Sequence, residues 1–518
     1  MHWSFIIITI LSSFGILWSS AEFYSSVDKM SIVMDFEVKM LENMQKFIGK
    51  NQNKLNYIKE RLSEYERERE EAMGQGPVYF ENPVNKYLLN KRLTVDWERL
   101  ENVLQYKEGE KTLKRIENTI VNTTELDGAL EGVLRLHDVY RLNASDIASG
   151  LLQGVQYDVQ FQARHCFDLG MKALDIEFPK LAYAWFMEAL RRSSNDENIN
   201  KLDIELAIAS TKLKLGDVKG ANATFTELVS LHPHNEKVAK IFEEFAKTSI
   251  GQPEYTVDYS TEHFPPPEDI QTAPRHDLFK FTCSGLLKKQ PREERELRCG
   301  YLVETHPFLW IAPIKVEELN HNPLLVVFYD VLSDKEIETI RQLTKEIERA
   351  TVMSNKGNIV SSVRTSQFQF IPVTRHPILA TVDRRVEDMT NLNMKCSEEH
   401  QFANYGIGGQ YSEHHDYFDF PESYLTTGNR IATVLFYLSD VEQGGGTAYP
   451  QMKQLVMPKK GAAAFWYNLH ASGKFDVRTL HGACPIIVGS KWVQNRWIRE
   501  IDQMDRRPCY KFDDSLYH

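Results

Sequence analysis

The stretch Asn-Tyr-Gly-Ile-Gly-Gly-Gln-Tyr-Ser-Glu-His-His-Asp, residues 404–416, decides the fold, because a glycine-rich turn runs into a histidine-rich segment. Side chains two residues apart on a β-strand lie on the same side, so His414 and Asp416 can face one cavity. A further histidine, His481, begins another β-rich stretch. Two imidazoles and one carboxylate on one face form the ligand set of non-haem Fe(II) oxygenases. The sequence therefore predicts an iron site made of these three side chains.

Lys491 strengthens this prediction. In a chain of 518 residues with 16 histidines, about one His-x-Asp pair is expected by chance, so the pair alone is weak. Lys491 follows His481 on the next β-rich stretch. A lysine ammonium is a suitable point charge for the carboxylate of an anionic cosubstrate. Taken alone, Lys491 is better explained as a solvated surface lysine; together with the triad it indicates a cosubstrate site.

The region around these residues has the texture of a β-domain. Glycine clusters separate short stretches rich in β-branched and aromatic residues, at 324–329, 431–438, 462–466 and 491–498. Short strands with glycine punctuation are typical of a double-sheet barrel. We therefore predict an α+β multidomain protein that ends in a double-stranded β-helix (jelly-roll) dioxygenase domain.

The length predicts three or four domains at about 150 residues each. We divide the chain into a signal peptide (1–21), a helical dimerisation region (22–150), a tetratricopeptide-like peptide-substrate-binding domain (151–250), a linker and disulfide-containing connector (251–320) and the catalytic domain (321–518). The formal net charge of −11 argues against a general grip on nucleic-acid phosphates, which needs a basic face.

The N-terminus indicates entry into the secretory pathway. An apolar run over residues 5–18 ends in Ser19-Ser20-Ala21, which suits signal peptidase. A membrane anchor is the alternative, but the run is short for a span of about 20 residues. In an oxidising lumen the six cysteines are disulfide candidates, and sequence alone allows fifteen full pairings. The sequons at Asn122, Asn143 and Asn222 become reachable for glycosylation there.

Residues 22–150 carry the apolar spacing of a coiled coil. The seam comprises Leu41, Met44, Ile48, Asn51, Leu55, Ile58, Leu62 and Tyr65, which alternate three and four residues apart. A polar residue on such a seam, here Asn51, can fix register and partner number. The pattern predicts self-association, with an antiparallel helix pair within one chain as the alternative.

Residues 155–250 resemble helical repeats. Gly216, Ala221, Phe225, Leu228 and Pro233 have the spacing of a second tetratricopeptide helix, and part of that pattern recurs upstream at Ala182, Phe186 and Ala189. Such repeats form concave grooves suited to extended peptides. A helical spacer is the alternative. Prolines at 253, 265–267 and 274 then indicate an extended linker.

The motifs of the β-rich region closely resemble those of collagen prolyl 4-hydroxylase α subunits. The matching segments are residues 404–416, Gly445-Gly446-Thr447, Pro458-Lys459-Lys460-Gly461, Phe465-Trp466-Tyr467-Asn468-Leu469, His481-Gly482-Ala483-Cys484-Pro485 and Gly489-Ser490-Lys491-Trp492-Val493. The resemblance extends over nearly the whole chain in order. It implies hydroxylation of proline at C4 in collagen-like or other proline-rich polypeptides, coupled to decarboxylation of 2-oxoglutarate to succinate, with ascorbate as a further cofactor.

The resemblance also implies residue roles. The three predicted iron ligands keep that role, and the 2-oxoglutarate site would comprise Lys491, Tyr405, Thr447 and Arg499. Relatives commonly carry a histidine where Arg499 stands; an arginine can also pair with a carboxylate. Tyr411, Arg430 and Trp497 would line the substrate side, with packing in the barrel core as the alternative for Tyr411 and Trp497.

The same resemblance implies disulfides Cys283–Cys299 and Cys484–Cys509, with Cys166 and Cys396 unassigned. It implies protein disulfide isomerase as a β subunit in an α2β2 heterotetramer in the endoplasmic reticulum lumen, where the partner would supply the missing retention signal. The chain differs from the family at Ala207 and Ser210, which occupy positions where relatives have tyrosines that pack against a proline-rich peptide. The alternatives are a catalytically silent peptide-binding or assembly subunit, the same chemistry on lysine, and a luminal zinc hydrolase.

Overall fold

The computed structural model describes residues 30, 34–35, 37–42, 55–104, 123–196, 199–251, 254–344, 347–349, 352–354, 357–359, 364–419 and 428–510. The predicted signal peptide, the seam positions Met44, Ile48 and Asn51, and the sequon at Asn122 lie outside these residues. The sequon asparagines Asn143 and Asn222 are both exposed.

The N-terminal region is helical. Its helices are α1 (Leu55–Gln75), α2 (Pro83–Lys91), α3 (Trp97–Leu104), α4 (Thr123–Tyr140) and α5 (Ala144–Ala148), with a 3-10 turn at Gly76–Glu81 and a π-helical turn at Arg92–Asp96. Asn82 begins α2 because its side chain accepts a hydrogen bond from Val84 N at 2.8 Å, ahead of Pro83 in the first turn.

The described part of the predicted seam is buried inside one chain. Leu41, Ile58 and Tyr65 belong to a single apolar cluster, which also contains Trp97. Tyr65 and Trp97 have ring centroids 5.9 Å apart. This intrachain packing is what the helix-pair alternative requires, so at these positions the apolar side chains already have partners.

Residues 151–248 form a short hairpin followed by five helices. The hairpin is β1 (Leu151–Leu152) with β2 (Val155–Gln156), and the helices are α6 (Ala163–Asp175), α7 (Pro179–Arg192), α8 (Lys201–Lys214), α9 (Val218–Leu231) and α10 (Glu236–Thr248). Gly170 permits the close approach of α6 and α7, since a Cβ there would lie 2.5 Å from the Phe186 ring. Ala221, Phe225 and Leu228 are buried between helices, as their spacing predicts.

The predicted linker packs against the helices. Tyr259 stacks on Tyr183 with ring centroids 4.3 Å apart, and its hydroxyl donates to Asp217 at 2.7 Å. Next come α11 (Arg275–Cys283), α12 (Pro291–Glu294), β3 (Cys299–Leu302) and β4 (Ile314–Asn320), with 3-10 turns at Ile270–Thr272 and Pro307–Trp310. Strands β3 and β4 belong to the main sheet, which therefore begins before residue 321, the start predicted for the catalytic domain.

The C-terminal region adds the remaining strands and two helices. The helices are α13 (Asp334–Leu343) and α14 (Pro377–Thr390), and the strands are β5 (Leu325–Tyr329), β6 (Glu348–Arg349), β7 (Val352–Ser354), β8 (Gly357–Ile359), β9 (Gln367–Ile371), β10 (His400–Tyr405), β11 (Tyr411–His414), β12 (Arg430–Tyr437), β13 (Gln443–Gly444), β14 (Thr447–Tyr449), β15 (Gln454–Val456), β16 (Ala463–Tyr467), β17 (His481–Ala483), β18 (Ile486–Val488) and β19 (Lys491–Arg499).

Two large antiparallel sheets build most of this domain, and the two-stranded pairs β7-β8 and β13-β18 complete its described strands. The main sheet has nine strands in the order β3-β4-β5-β16-β12-β19-β10-β9-β6, and the smaller sheet has four in the order β11-β17-β14-β15. Alternate side chains of the main sheet, such as Val327 and Tyr437, share one core with Ala448 and Tyr449 of the smaller sheet. The intervening side chains, such as Phe436, pack in a second core with α13 and α14. The prediction of a β-rich domain with two sheets at the C-terminus is confirmed.

The disulfide pairing predicted from the resemblance is wrong in this structure. Cys283 at the end of α11 is bonded to Cys484 just after β17, with Cα atoms 5.7 Å apart, while Cys299 and Cys509 are free. The pairing follows from tertiary packing, because α11 lies against the smaller sheet: a Cβ at Gly482 would lie 2.7 Å from the Phe279 ring. Among the described helices, none is long and apolar enough to cross a membrane.

Candidate active site

His414, Asp416 and His481 converge at one point between the sheets. His414 ends β11 and stands opposite His481, which begins β17, in the antiparallel register. Asp416 follows β11 and places one oxygen 3.7 Å from His414 Nε2 and the other 3.6 Å from His481 Nε2. Potential ligand atoms of all three side chains lie within 4.8 Å of one another. The structure thus brings the predicted triad together.

Backbone carbonyls orient both imidazoles. Nδ1 of His414 lies 2.8 Å from the carbonyl oxygen of Ser412, and Nδ1 of His481 lies 3.0 Å from that of Thr479. Each Nδ1–H therefore donates to the backbone, which leaves the lone pair of Nε2 facing the triad. Burial, aided by the neighbouring His481, lowers the pKa of His414 to about 3. His414 is thus neutral and able to ligate a metal.

Asp416 is held as a carboxylate. Burial opposes its ionisation, but His481, His414, Arg430 and a hydrogen bond from Thr433 outweigh this effect and lower the pKa to about 2. Thr433 Oγ1 donates to Asp416 Oδ2 at 2.7 Å. A neutral imidazole pair and one carboxylate match the donor set of a non-haem Fe(II) centre.

Lys491 lies on the wall of the same cavity and is 1% exposed. Its Nζ donates to Thr447 Oγ1 at 3.3 Å, and the hydroxyls of Thr447 and Tyr437 are 2.9 Å apart. The ammonium also lies 5.9 Å from the Tyr405 ring centroid. Burial lowers the pKa of Lys491 to about 7.

No carboxylate in the described part of the chain lies within ion-pairing distance of Lys491. A buried ammonium without a counter-ion is costly, so the cavity favours an anionic ligand that bridges from the triad to this lysine. A dicarboxylate such as 2-oxoglutarate has the required charge at both ends. The residues present therefore fit both the iron and the cosubstrate that the sequence predicts.

Tyr411 and Trp497 line the cavity beside the triad. The Tyr411 ring stacks on the His414 ring with centroids 3.6 Å apart. Trp497 carries the Arg430 guanidinium 3.7 Å above its ring centroid, and Arg430 binds Glu398 through two hydrogen bonds of 2.6 Å. Arg430 also donates to the carbonyl oxygen of Asp416 at 3.3 Å, so it connects Trp497 to the triad.

Arg499 ends β19, the strand that Lys491 begins, and its side chain is bound to groups other than Lys491. It lies eight residues beyond Lys491 on β19, about 26 Å along an extended strand. Arg499 Nε lies 3.1 Å from Glu398 Oε1, and its NH1 donates to the carbonyl oxygen of Gly428 at 2.8 Å. These contacts place Arg499 away from Lys491, and its predicted contact with 2-oxoglutarate stays a prediction.

Two functional neighbours were missed by sequence reasoning. Arg364, which is buried, holds its guanidinium 4.7 Å above the Tyr411 ring and donates to Gln401 at 3.2 Å. Glu398 forms ion pairs with both Arg430 and Arg499. Neither residue lies in a recognised motif, and the contacts arise only when β10, β12 and β19 pair.

A second group of potential metal ligands has a structural explanation. Glu262 Oε2 lies 2.8 Å from His137 Nε2 and accepts from Ala144 N at 2.7 Å, while His263 Nε2 lies 2.9 Å from the carbonyl oxygen of Leu142. These atoms already have hydrogen-bond partners, unlike the Nε2 atoms of the triad. We assign this group to anchoring the linker on α4.

The two-sheet domain, the triad and the buried lysine define an Fe(II)- and 2-oxoglutarate-dependent oxygenase. A family model described as 2OG-Fe(II) oxygenase superfamily matches residues 400–499, and one described as Prolyl 4-Hydroxylase alpha-subunit, N-terminal region matches residues 26–154. The chain belongs to the family of prolyl 4-hydroxylase alpha subunits, since similarity to its members extends over nearly the full length.

Two relatives illustrate this. Prolyl 4-hydroxylase subunit alpha-2 of Gallus gallus is 34% identical over 519 residues, covering 96% of this chain and 97% of its own. Prolyl 4-hydroxylase subunit alpha-1 of Homo sapiens is 32% identical over 530 residues, covering 98% and 99%. A solved viral collagen prolyl hydroxylase from Paramecium Bursaria Chlorella virus-1, in complex with 2OG, is 24% identical and covers 34% of this chain and 96% of its own, with a TM-score of 0.29.

Proposed function

We propose that this chain is the catalytic subunit of a procollagen-proline 4-dioxygenase, which hydroxylates proline at C4 in collagen-like or other proline-rich secretory polypeptides. The observation that carries this proposal is the cavity that joins the triad to Lys491, whose ammonium has no counter-ion among the residues that the structure describes. Membership of the prolyl 4-hydroxylase alpha-subunit family supports proline as the target.

Different residues along this cavity would bind the metal and the cosubstrate. His414, Asp416 and His481 would hold the iron, and Lys491 with Thr447 would hold the distal carboxylate of 2-oxoglutarate, with Tyr405 beside them. When bound, the iron and 2-oxoglutarate supply an oxidative decarboxylation with dioxygen as the oxidant, in which one oxygen atom enters succinate, CO2 leaves and the other oxygen atom is placed on the substrate. Ascorbate, typical of the family, would keep the metal reduced between turnovers.

Tyr411 and Trp497 are positioned to form the substrate side. Both are aromatic residues in the cavity wall near the triad, and aromatic faces are the usual docking surface for proline-rich chains. Arg430, fixed by Glu398, would keep the Trp497 ring in place. These roles would exclude water from the reacting carbon and orient the C4 position towards the metal.

The helical repeats of residues 151–250 would capture the peptide, as a tetratricopeptide-like domain. The groove positions Ala207 and Ser210 are half-buried and not aromatic, and Ser210 Oγ donates to the backbone of Leu206 at 2.9 Å. Because polyproline helices dock on aromatic faces, we expect weaker affinity for long collagen-like chains than a tyrosine-lined groove would give.

The assembly and location follow from the same proposal. We infer a protein disulfide isomerase β subunit, an α2β2 heterotetramer associated through the N-terminal helical region and residence in the endoplasmic reticulum lumen. The predicted signal peptide supports a luminal location, and membership of the alpha-subunit family supports a β-subunit partner. A catalytically silent subunit is disfavoured, because the triad and the buried lysine are both complete.

The test is turnover of 2-oxoglutarate by the full chain coexpressed with the isomerase, supplied with Fe(II), ascorbate and a (Pro-Pro-Gly) repeat peptide. We expect succinate together with a gain of one oxygen on proline, measured by mass spectrometry. Succinate without peptide oxidation would point to another proline-rich substrate. Neither product from folded, iron-loaded protein would overturn the enzymatic function.

A further inference from the structure

Helix α4, from the N-terminal helical region, packs directly on the oxygenase domain. Its Gly132 touches the turn before β11: a Cβ at Gly408 would lie 2.7 Å from Gly132 Cα, so no side chain fits at Gly408, whose φ is +67°. One turn further along α4, Arg135 donates to the carbonyl oxygen of Gly408 at 2.5 Å. The position of this turn is therefore set from outside the sheet domain.

Tyr140, the last residue of α4, joins two further segments. Its buried hydroxyl donates to the carbonyl oxygen of Pro485 at 2.6 Å and accepts from Gly445 N at 3.2 Å. Gly445 N also donates to Pro485 O at 3.0 Å, so the hydroxyl completes a junction between two backbone segments. Burial raises the pKa of Tyr140, which keeps the hydroxyl protonated.

Each of the three segments carries a residue of the site. The Gly408 turn connects Tyr405 to the strand of His414. Gly445 precedes Thr447, which accepts from Lys491. Pro485 follows the strand of His481, and Gly408 N donates to Ile486 O at 2.8 Å, which ties the first segment to the third.

We propose that Tyr140 and Arg135 are positioning residues for 2-oxoglutarate, and that the cosubstrate site is complete only when α4 is docked on the oxygenase domain. The Tyr140 hydroxyl holds the segment that contains Thr447 against the segment that follows His481. The cosubstrate would bind between these two segments, with one end near Thr447 and Lys491 and the other at the triad. This inference rests on the proposed function for the identity of the cosubstrate. If these contacts only held α4 on the oxygenase domain, their loss would lower stability without changing the affinity for 2-oxoglutarate.

The experiment uses the full chain with its β subunit and compares Tyr140→Phe with the unchanged protein. Removing one buried hydroxyl that serves two backbone groups is expected to raise KM for 2-oxoglutarate about three- to tenfold. KM for the peptide should stay within about twofold. Tyr301→Phe is the matched control, because that tyrosine is 65% exposed and lies on β3, outside the helical repeats that would capture the peptide.

A second pair of variants separates positioning from packing. Arg135→Lys retains a donor towards Gly408 and should recover most of the cosubstrate affinity, whereas Arg135→Met should not. Anaerobic titration of the Fe(II) protein with 2-oxoglutarate, followed by the visible charge-transfer absorption, measures affinity without turnover. This readout works even if no peptide is hydroxylated, so failure of the proposed function can be told apart from failure of this inference.

The result expected is weaker 2-oxoglutarate binding in Tyr140→Phe and Arg135→Met at saturating Fe(II). A lower melting temperature with unchanged cosubstrate affinity would overturn the inference and leave a packing contact. A parallel rise in KM for the peptide and for 2-oxoglutarate would also overturn it, because it would indicate general loosening of the domain.

Discussion

The ammonium of Lys491 reaches the hydroxyl of Thr447 across 3.3 Å inside the sheet domain, and no carboxylate in the described chain neutralises it. Burial lowers the pKa of Lys491 to about 7, while an anionic ligand would favour the charged form. Binding of 2-oxoglutarate above pH 7 must therefore take up a proton.

We expect the dissociation constant for 2-oxoglutarate to be constant below about pH 7 and to rise up to about tenfold per pH unit above it. The measurement is a cosubstrate titration between pH 6 and 9. Lys491→Arg should abolish this dependence, since arginine stays charged over the whole range. Equal affinity at pH 6 and pH 9 in the unchanged protein would contradict the assignment of Lys491.

Adjacent histidines give a matched test of the metal site. His414→Ala removes a ligand and should lower Fe(II) affinity and abolish hydroxylation. His415→Ala should change neither by more than about twofold, because the His415 ring stacks on Tyr417 and its Nε2 lies 3.1 Å from the carbonyl oxygen of Val477. Metal content and succinate release would be measured on both variants. Comparable losses in the two would argue against the triad.

Arg499→Leu should leave KM for 2-oxoglutarate within about twofold, since the side chain lies about 26 Å from Lys491 along β19. Its ion pair with the half-buried Glu398 is instead expected to contribute about 1 kcal/mol to stability. Kinetics and thermal unfolding on the same preparation decide between these effects. A large rise in KM for the cosubstrate would restore the role that the sequence suggested.

The Cys283–Cys484 bond closes a loop of about two hundred residues. Cys484→Ser should lower the free energy of unfolding by about 2–4 kcal/mol, and Cys299→Ser or Cys509→Ser by much less. Non-reducing peptide mapping should recover the peptides of Cys283 and Cys484 as one linked species. Recovery of Cys283 linked to Cys299 would show that the resemblance gave the correct pairing.

Features set by local spacing could be predicted from the sequence. His414 and Asp416 are two residues apart at the end of a strand, and Lys491 begins β19 ten residues after His481, so pattern and strand geometry suffice. The partner of Cys283 and the ion pair of Arg499 with Glu398 depend on how distant segments pack, and spacing does not record that.

The packing of α4 on the oxygenase domain and the inclusion of β3 and β4 in the main sheet also depend on how distant segments pack. Gly132 and Gly408 give no periodic signal, yet together they permit the closest approach of the two regions. The sequence did not predict β3 and β4, because β4 is held by pairing with β5, and β3 by pairing with β4, rather than by a motif of their own.

The packing of α11 on the smaller sheet bears on how this protein can be divided. A fragment beginning at residue 321 would lack two strands of the main sheet, the Phe279 ring that rests against Gly482, and the cysteine that secures Cys484. The segment that carries the catalytic residues is therefore shorter than the segment that must fold as one unit. Shuffling or truncating this gene at the edge of the oxygenase motifs would yield an unstable polypeptide, and the oxygenase can be exchanged between proteins only together with the helices that precede it.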